Sequence, residues 1–238
     1  MTKLHIITPV KDSLDTTIRT IECIMNSKTV IDFEYTVYND FSTNETTEQL
    51  QLASIEYGFK LINLKDITTH PSPNYLLVLQ QAQKNAIANS AHLLIVESDV
   101  IVADDTIQKM QENAALLEKV GMIAAVTTDV TGMVNFPYLY AQKFERGVIN
   151  TNKRLSFCCT LLSHSYLKSF SFEELNPEKV WYDVFISHKA VELGFNNYLL
   201  TSLPVLHLPH SSRPWKQLKY TNPIKYYWRK LIYNKDKI

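Results

Sequence analysis

The sequence predicts a three-layer α/β fold built around a mostly parallel central sheet. Through the first half of the chain, short apolar runs alternate with stretches of helical periodicity, a βαβ rhythm. The strongest of these runs, His92-Leu93-Leu94-Ile95-Val96, has no polar alternation. A strand that is apolar at nearly every position is one covered on both faces, as in a sheet sandwiched between helices. The 238 residues, 45% hydrophobic and 20% charged, are globular in composition and suffice for one domain with a sizeable core.

Leu4 to Val10 reads as the first strand, followed by a helix that places Leu14, Ile18, Ile21 and Met25 on one face. Phe33 to Tyr38 is the second strand, and Ser42-Thr43-Asn44-Glu45 supplies a capping box for the next helix. Phe59 to Asn63 is the third. A polar loop with Pro71 and Pro73 leads into a helix over 75–89 that buries Leu79, Ala82 and Ala86. After the strand at 92–96, Asp105-Thr106-Ile107-Gln108 starts a helix that ends before Gly121, and Gly121 to Val126 is a further buried strand. The second half is less regular. Residues 130–156, with several tyrosines and the basic pair Lys153 and Arg154, read as loop and short strands around an acceptor site. Ser156 to Leu162 reads as an edge or mixed strand. Asp183 opens a helix that Gly194 closes, and Tyr198–Ser202 and Val205–His207 are short closing strands. One domain, 1–212, with a tail, 213–238, is expected.

Several function classes are excluded or disfavoured. Cys23, Cys158 and Cys159 make no disulfide framework and no structural zinc spacing, so they read as buried small hydrophobes that suit a reducing compartment. The five glycines form neither GxGxxG nor a P-loop, which disfavours nicotinamide and ATPase chemistry. No leader is expected, because the chain runs directly into an apolar strand broken by Pro9 and Lys11, and no run is long enough to span a bilayer. Net charge is zero but unevenly placed. From Arg213 onward eight Lys/Arg stand against one Asp, a local +7 that the preceding residues balance with −7. With Trp215, Tyr220, Tyr226, Tyr227, Trp228 and Tyr233 interleaved, this tail suits either packing on the domain or an anionic membrane surface, and nucleic acid is not the expected partner.

Ligands of open α/β sheets sit beyond the carboxyl ends of the strands, and Glu97-Ser98-Asp99 falls there. Carboxylates two apart on an extended chain share a face while Ser98 points away, so 97 and 99 can converge on a hard cation or else be solvated loop acids. Asp40, after the second strand, is either a turn residue or an acceptor for a nucleobase or ribose. Asp183 is either an N-cap or a general base. His207 and His210 are structural or complete a metal site. Arg213, Lys216 and Lys219 are a solvated basic face or meet a diphosphate.

In order along the chain, these residues resemble inverting glycosyltransferase family 2 with its GT-A fold. Ile7-Thr8-Pro9-Val10-Lys11-Asp12 resembles the family's opening strand and turn. Tyr38-Asn39-Asp40-Phe41-Ser42-Thr43-Asn44 resembles V-D-D-G-S-T-D, with Asn39, Phe41 and Asn44 departing from it. Gln83-Lys84-Asn85-Ala86-Ile87 resembles A-R-N-x-G-I, and Glu97-Ser98-Asp99 resembles D-x-D. Tyr182-Asp183, Lys189 and Gly194 resemble the E-D, R and G pattern, with Tyr182 in place of an acid and Lys189 lacking a guanidinium fork.

The resemblance implies inverting transfer of a sugar from a nucleotide diphosphate sugar to a hydroxyl of a saccharide or lipid-linked saccharide. Pro9, Asp12, Asp40, Lys84, Asn85, Glu97, Ser98 and Lys189 are expected at the donor, and Asp183 as catalytic base. Mn²⁺ or Mg²⁺ is expected on Asp99 with His207 or His210 and Glu97, His207 being preferred because it follows directly from a strand. The expected setting is the cytoplasm, at the inner membrane face where polysaccharides or lipid-linked glycans are assembled. The departures keep open a nucleotide- or glycan-binding protein that has lost its chemistry. Nucleotidyl transfer on a related sheet is the other alternative.

Overall fold

The computed structural model describes residues 2–179, 181–208 and 222–232. Nine strands form one sheet: β1 Lys3–Val10, β2 Phe33–Asn39, β3 Lys60–Asn63, β4 Ala91–Val96, β5 Val100–Ile101, β6 Val120–Thr128, β7 Val148–Asn150, β8 Cys159–Leu162 and β9 Asn196–His207. Their spatial order is β3-β2-β1-β4-β8-β6-β9-β5, with β7 also on β9. β1 runs parallel to β2 and β4, and β2 to β3. β8 lies antiparallel between β4 and β6, and β6 is parallel to β9. The sheet is therefore parallel except where β5, β7 and β8 enter it.

Helices cover both faces: α1 Leu14–Met25, α2 Asn44–Tyr57, α3 Tyr75–Ala88, α4 Thr106–Leu116, α5 His164–Ser169 and α6 Tyr182–Glu192. Strand alternation divides the core cleanly. Leu94 and Val96 of β4 pack with Ile21, Leu50 and Ile107 on one side. Leu93 and Ile95 pack with Leu79, Ala82, Tyr166 and Ile186 on the other. That two-sided burial is why β4 reads as an unbroken apolar run.

Local chemistry corrects several expected details. Of the two alternatives for Ser156–Leu162, the structure shows the mixed strand and not the edge: β8 lies inside the sheet, antiparallel to both neighbours. The two closing strands are one, with a register break opposite Ala125/Val126 that absorbs Thr201, Ser202 and Leu203. The cap of α2 is Thr43, whose Oγ accepts from the Thr46 amide at 3.3 Å, in place of the Ser42/Glu45 box. Asp105 caps nothing with its side chain and instead pairs with Lys109. α6 ends as expected: Gly194, at φ 82°, donates to the Val191 carbonyl and Phe195 to the Ala190 carbonyl, a double closure that a left-handed residue permits.

Gly121 is where α6 lies against β6. A Cβ there would stand 2.9 Å from the Cβ atoms of both Ala190 and Phe195. Gly121→Val is expected to destabilise the fold by roughly 1–3 kcal/mol through overpacking, read as a lower urea midpoint at unchanged slope. An unchanged midpoint would show that α6 is free to move off the sheet.

Candidate functional site at the carboxyl rim

The acidic turn after β4 is held from two sides by backbone pairing. The β4–β8 ladder runs one residue past the strand, the Glu97 amide donating to the Cys158 carbonyl at 3.0 Å. The chain then turns, the Val100 amide donating back to the Glu97 carbonyl at 3.1 Å, and pairs with the end of β9, Val100 opposite His207. The Leu208 amide completes the clamp on the Asp99 carbonyl at 2.9 Å. Glu97 to Asp99 is thus a turn, and strand alternation is not what gathers its acids. The short β5, which has no periodic signature, does so by carrying His207 to them.

One oxygen of Glu97, the Cys158 sulfur and one ring nitrogen of His207 all lie within 4.8 Å of one another. His207 Nε2 stands 3.6 Å from Asp99 Oδ2, both side chains being almost wholly buried. The other ring nitrogen, Nδ1, sits 2.8 Å from the Phe136 carbonyl, a contact that requires Nδ1–H to donate. In the neutral ring this tautomer leaves the Nε2 lone pair facing the acids, the arrangement that metal-ligating histidines share. Burial opposes charge on the ring, but the pull of Asp99, then of Glu97 and the Phe136 carbonyl, prevails and holds its pKa above the ordinary value. Burial first, then the charge of Glu97, holds the Cys158 thiol well above its usual range. Carboxylate oxygens with an oriented imidazole fit a divalent cation of the expected kind.

Asp40 follows β2, its amide held by the Val10 carbonyl at 2.8 Å. Its carboxylate is already at work within the protein. Oδ2 accepts from Ser72 Oγ at 2.8 Å and the Asn74 amide at 2.9 Å, and Oδ1 accepts from Asn74 Nδ2 at 2.8 Å. Asp12 Oδ1 accepts from the Thr43 amide at 2.7 Å, tying the β1 and β2 exits together, and Lys11 Nζ donates to the Phe41 carbonyl beside them. Pro9 sits at this same rim. It pairs with Tyr38 of β2, and because the β1–β4 ladder ends at Ile7 its missing N–H leaves no gap there.

Asn74 heads α3, and the next residue links Asp40 to the rest of the rim. The Tyr75 ring stacks on Phe157 at 6.2 Å and on Tyr182 at 6.5 Å. Phe157 precedes Cys158, and Tyr182 precedes Asp183. The buried Tyr138 hydroxyl feels both sites: its pKa is pushed far up by burial, then by Cys158, with a contribution from Asp183. Asp183 lies in the first turn of α6 but does not cap it; Trp181 occupies that position without a side-chain bond. The Leu155 amide donates to Ser187 Oγ at 2.9 Å and that hydroxyl to the Asp183 carbonyl at 2.6 Å, docking the 154–156 segment on the helix. Arg154 Nη1 is thereby set 3.8 Å from Asp183 Oδ2, with the guanidinium over the Trp181 ring.

Three expected donor residues lie elsewhere, and one expected metal ligand falls outside the described residues. α3 runs from the rim at Asn74 back to Asn89, which shares a hollow with Thr2 and Lys3 at the opposite edge of the sheet. Lys84 and Asn85 belong to its far half, about 14 Å along the axis from Tyr75, with Lys84 exposed and Asn85 beside the Tyr38 hydroxyl. Lys189 is six residues beyond Asp183, about 9 Å along α6 and on another face. Its Nζ pairs with Glu192 at 2.7 Å over the Phe170 ring. Ser98 is buried within the acidic turn. His210, with Arg213, Lys216 and Lys219, lies outside the described residues. Ser72, Asn74, Tyr75, Tyr138 and Cys158 are the rim residues that sequence reasoning missed. None has a spacing signal, because each reaches the rim only through a crossover.

An open, mostly parallel sheet of this order, covered by helices on both faces, is a GT-A-like fold. Residues 5–170 match the profile described as Glycosyl transferase family 2, and the chain belongs to that family. No curated protein sequence matches it. Among solved structures it is similar to Staphylococcus aureus TarS 1–349 in complex with UDP-GlcNAc, at 16% identity and TM-score 0.68, covering 95% of this chain and 64% of that one. It is similar also to the mannosyltransferase PcManGT from Pyrobaculum calidifontis in complex with GDP-Man and Mn²⁺, at 11% identity and TM-score 0.65, covering 91% and 59%. GalNAc-T7 with UDP, GalNAc and Mn²⁺ matches at 10% identity and TM-score 0.66, covering 89% and 45%. At these identities the likeness establishes the fold, and the chain spans roughly half to two thirds of their lengths.

Asp40→Ala is expected to lower stability in the absence of any ligand by about 1–3 kcal/mol, since Ser72 and Asn74 lose a charged acceptor. Denaturant unfolding of the ligand-free protein checks it. A midpoint that moves only when donor is present would make Asp40 a ligand contact alone.

Proposed function

We propose that the chain transfers a sugar from a nucleotide diphosphate sugar to a hydroxyl acceptor with inversion, through one domain spanning 1–212. The observation that carries this reading is the contact path along one rim, from Asp40 through Asn74 and Tyr75 to Phe157–Cys158 and to Tyr182–Asp183. It supports a reading in which Asp40, the Glu97–Asp99 turn and Asp183 serve one substrate.

In this reading the nucleoside lies against Asp40, Asp12 and Pro9. Asp40 Oδ1 is bonded by one group and keeps acceptor capacity for a base N–H or ribose hydroxyl. Asp99, His207 and Glu97 would hold Mn²⁺ or Mg²⁺, whose positive charge offsets that of the departing nucleoside diphosphate. Asp183 takes the proton of the acceptor hydroxyl as its oxygen bonds to the anomeric carbon and the carbon–oxygen bond to the diphosphate breaks on the opposite face. One displacement inverts the centre. Arg154 and Trp181, beside Asp183, form the acceptor side.

A positioned base contributes ~10²–10⁴-fold in rate. Asp183→Asn is therefore expected to cut kcat by about that factor and leave donor affinity near wild type, with turnover and donor binding measured on the same folded variant. Near-normal turnover would remove Asp183 from this role. A binding protein without chemistry is the second reading, favoured by Tyr182 in place of an acid and by Lys189 tied to Glu192. It expects donor binding with neither transfer nor slow donor hydrolysis. Nucleotidyl transfer would release pyrophosphate instead.

The tail, 213–238, contributes a membrane contact in this proposal. It contains helix α7, Pro223–Ile232, on which Ile224, Tyr227, Trp228 and Ile232 are all largely exposed at helical spacing. With a tail charge of +7, the complementary surface is an anionic bilayer, here the cytoplasmic leaflet. No helix among the described residues is long and apolar enough to cross a membrane. The full chain is expected to sediment with phosphatidylserine-containing vesicles and not with neutral ones, and a chain lacking 213–238 to lose this. Equal binding by both chains, or no binding by the full chain, would overturn it.

A further inference from the structure

Four potential ligand groups crowd the acidic turn, and only three of them belong to the oxygen-and-imidazole set expected there. The fourth is Cys158. Its sulfur lies 3.6 Å from Glu97 Oε2, and within 4.8 Å of both the Glu97 oxygen and the His207 nitrogen. His207 Nε2 lies 3.6 Å from Asp99 Oδ2, beyond ordinary hydrogen-bond length although both side chains are buried. Metal–ligand bonds of about 2.0–2.3 Å in a tetrahedron give ligand–ligand separations of roughly 3.3–3.7 Å. The 3.6 Å spacing between the Cys158 sulfur and Glu97 Oε2, bridged by the thiol proton until a cation replaces it, meets that requirement.

The placement of Cys158 is enforced by the fold. The Glu97 amide bonds to the Cys158 carbonyl, so the β4–β8 register sets the residue opposite the first acid of the turn. Cys159, one residue on, is inside the ladder opposite Val96, with Cys23 as its neighbour. Only Cys158 has carboxylate and imidazole groups around its sulfur. A cysteine kept merely as a small hydrophobe has no need of that company.

We propose that Cys158 is a thiolate ligand of the rim cation, together with Glu97 and His207, with Asp99 beside His207 at the edge of the set. This rests on the cation site of the reading above. When the cation binds, the thiol proton passes to solvent and the sulfur lone pair bonds to the metal, with no change of oxidation state. A sulfur donor beside imidazole moves the site away from hard cations, so Zn²⁺ and Co²⁺ bind more tightly than Mn²⁺, and Mg²⁺ binds least.

Co²⁺ titrated into the full, unmodified chain tests this directly. The expected result is a near-ultraviolet thiolate-to-cobalt charge-transfer band that saturates at one equivalent. It should persist in Cys159→Ser and vanish in Cys158→Ser, while the latter retains the wild-type unfolding midpoint. Zn²⁺ affinity, read by competition with a chelating dye, should fall at least 10-fold in Cys158→Ser, the lower end of the loss seen when even an outer-shell partner is removed. Saturable Co²⁺ binding that depends on His207 but shows no such band in the wild-type chain would overturn the thiolate and leave the cation site standing. Absence of Co²⁺ binding, with and without a nucleoside diphosphate, would overturn the cation site and this inference with it. The wild-type spectrum decides the matter even if the serine variant fails to fold.

Discussion

The whole rim depends on backbone pairing across β8 and β9. A purely parallel sheet would end β4 in a free loop, and its acids would be solvated. Here β8 enters antiparallel beside β4 and holds Glu97 through Cys158, while β9 returns parallel to β6 and picks up Val100 at its last residue. Amide–carbonyl bonds at 2.9–3.1 Å on both sides leave the acidic turn little freedom. The carboxylates, sulfur and imidazole are consequently preorganised, and a cation bound there would not have to order the chain around it.

Much of the fold was legible for a simple reason. β1, β2, β4 and β6 are each buried by helices or neighbouring strands, and burial on both faces writes itself into sequence as apolar runs. The candidate residues' position was legible where each sits at the end of such a run: Pro9, Asp12, Asp40, Glu97, Asp99 and His207 all lie at or just beyond strand ends. It was illegible where position along a helix mattered. Lys84 and Asn85 look well placed before the acidic strand, but α3 runs opposite to the strands, so residues close to β4 in sequence are far from its carboxyl end. Lys189 failed similarly, since six residues along α6 turn a side chain to another face and another partner, Glu192. Cys158 had no signal because its neighbours come from 61 positions earlier, at Glu97, and from the far end of β9.

Asp40, proposed at the donor, already has structural work within the chain. A residue kept only for donor contact would stand free at the rim. This one receives three hydrogen bonds from Ser72 and Asn74 and so fixes the loop that starts α3. Through Tyr75, the same loop supports Phe157 and Tyr182. The Asp40 loop and the segment that leads into Asp183 are therefore joined through one aromatic stack.

That coupling also explains how the departures from the family pattern are tolerated. Asn39 does not leave a missing acid at the rim. Its amide donates to Thr47 Oγ1 at 3.0 Å and Asn63 Oδ1 at 2.9 Å, binding β2 to α2 and β3. Tyr182 replaces a charge with a ring that completes the stack on Tyr75. Both side chains are taken up by packing or neutral hydrogen bonds inside the protein, and Asp12, Asp40, Glu97, Asp99 and Asp183 are the acids near the rim. A site that sheds peripheral charge in this way concentrates its electrostatics on the few groups left, in a less polar surround where each acts more strongly. The departures therefore alter how the rim is supported more than what chemistry it presents.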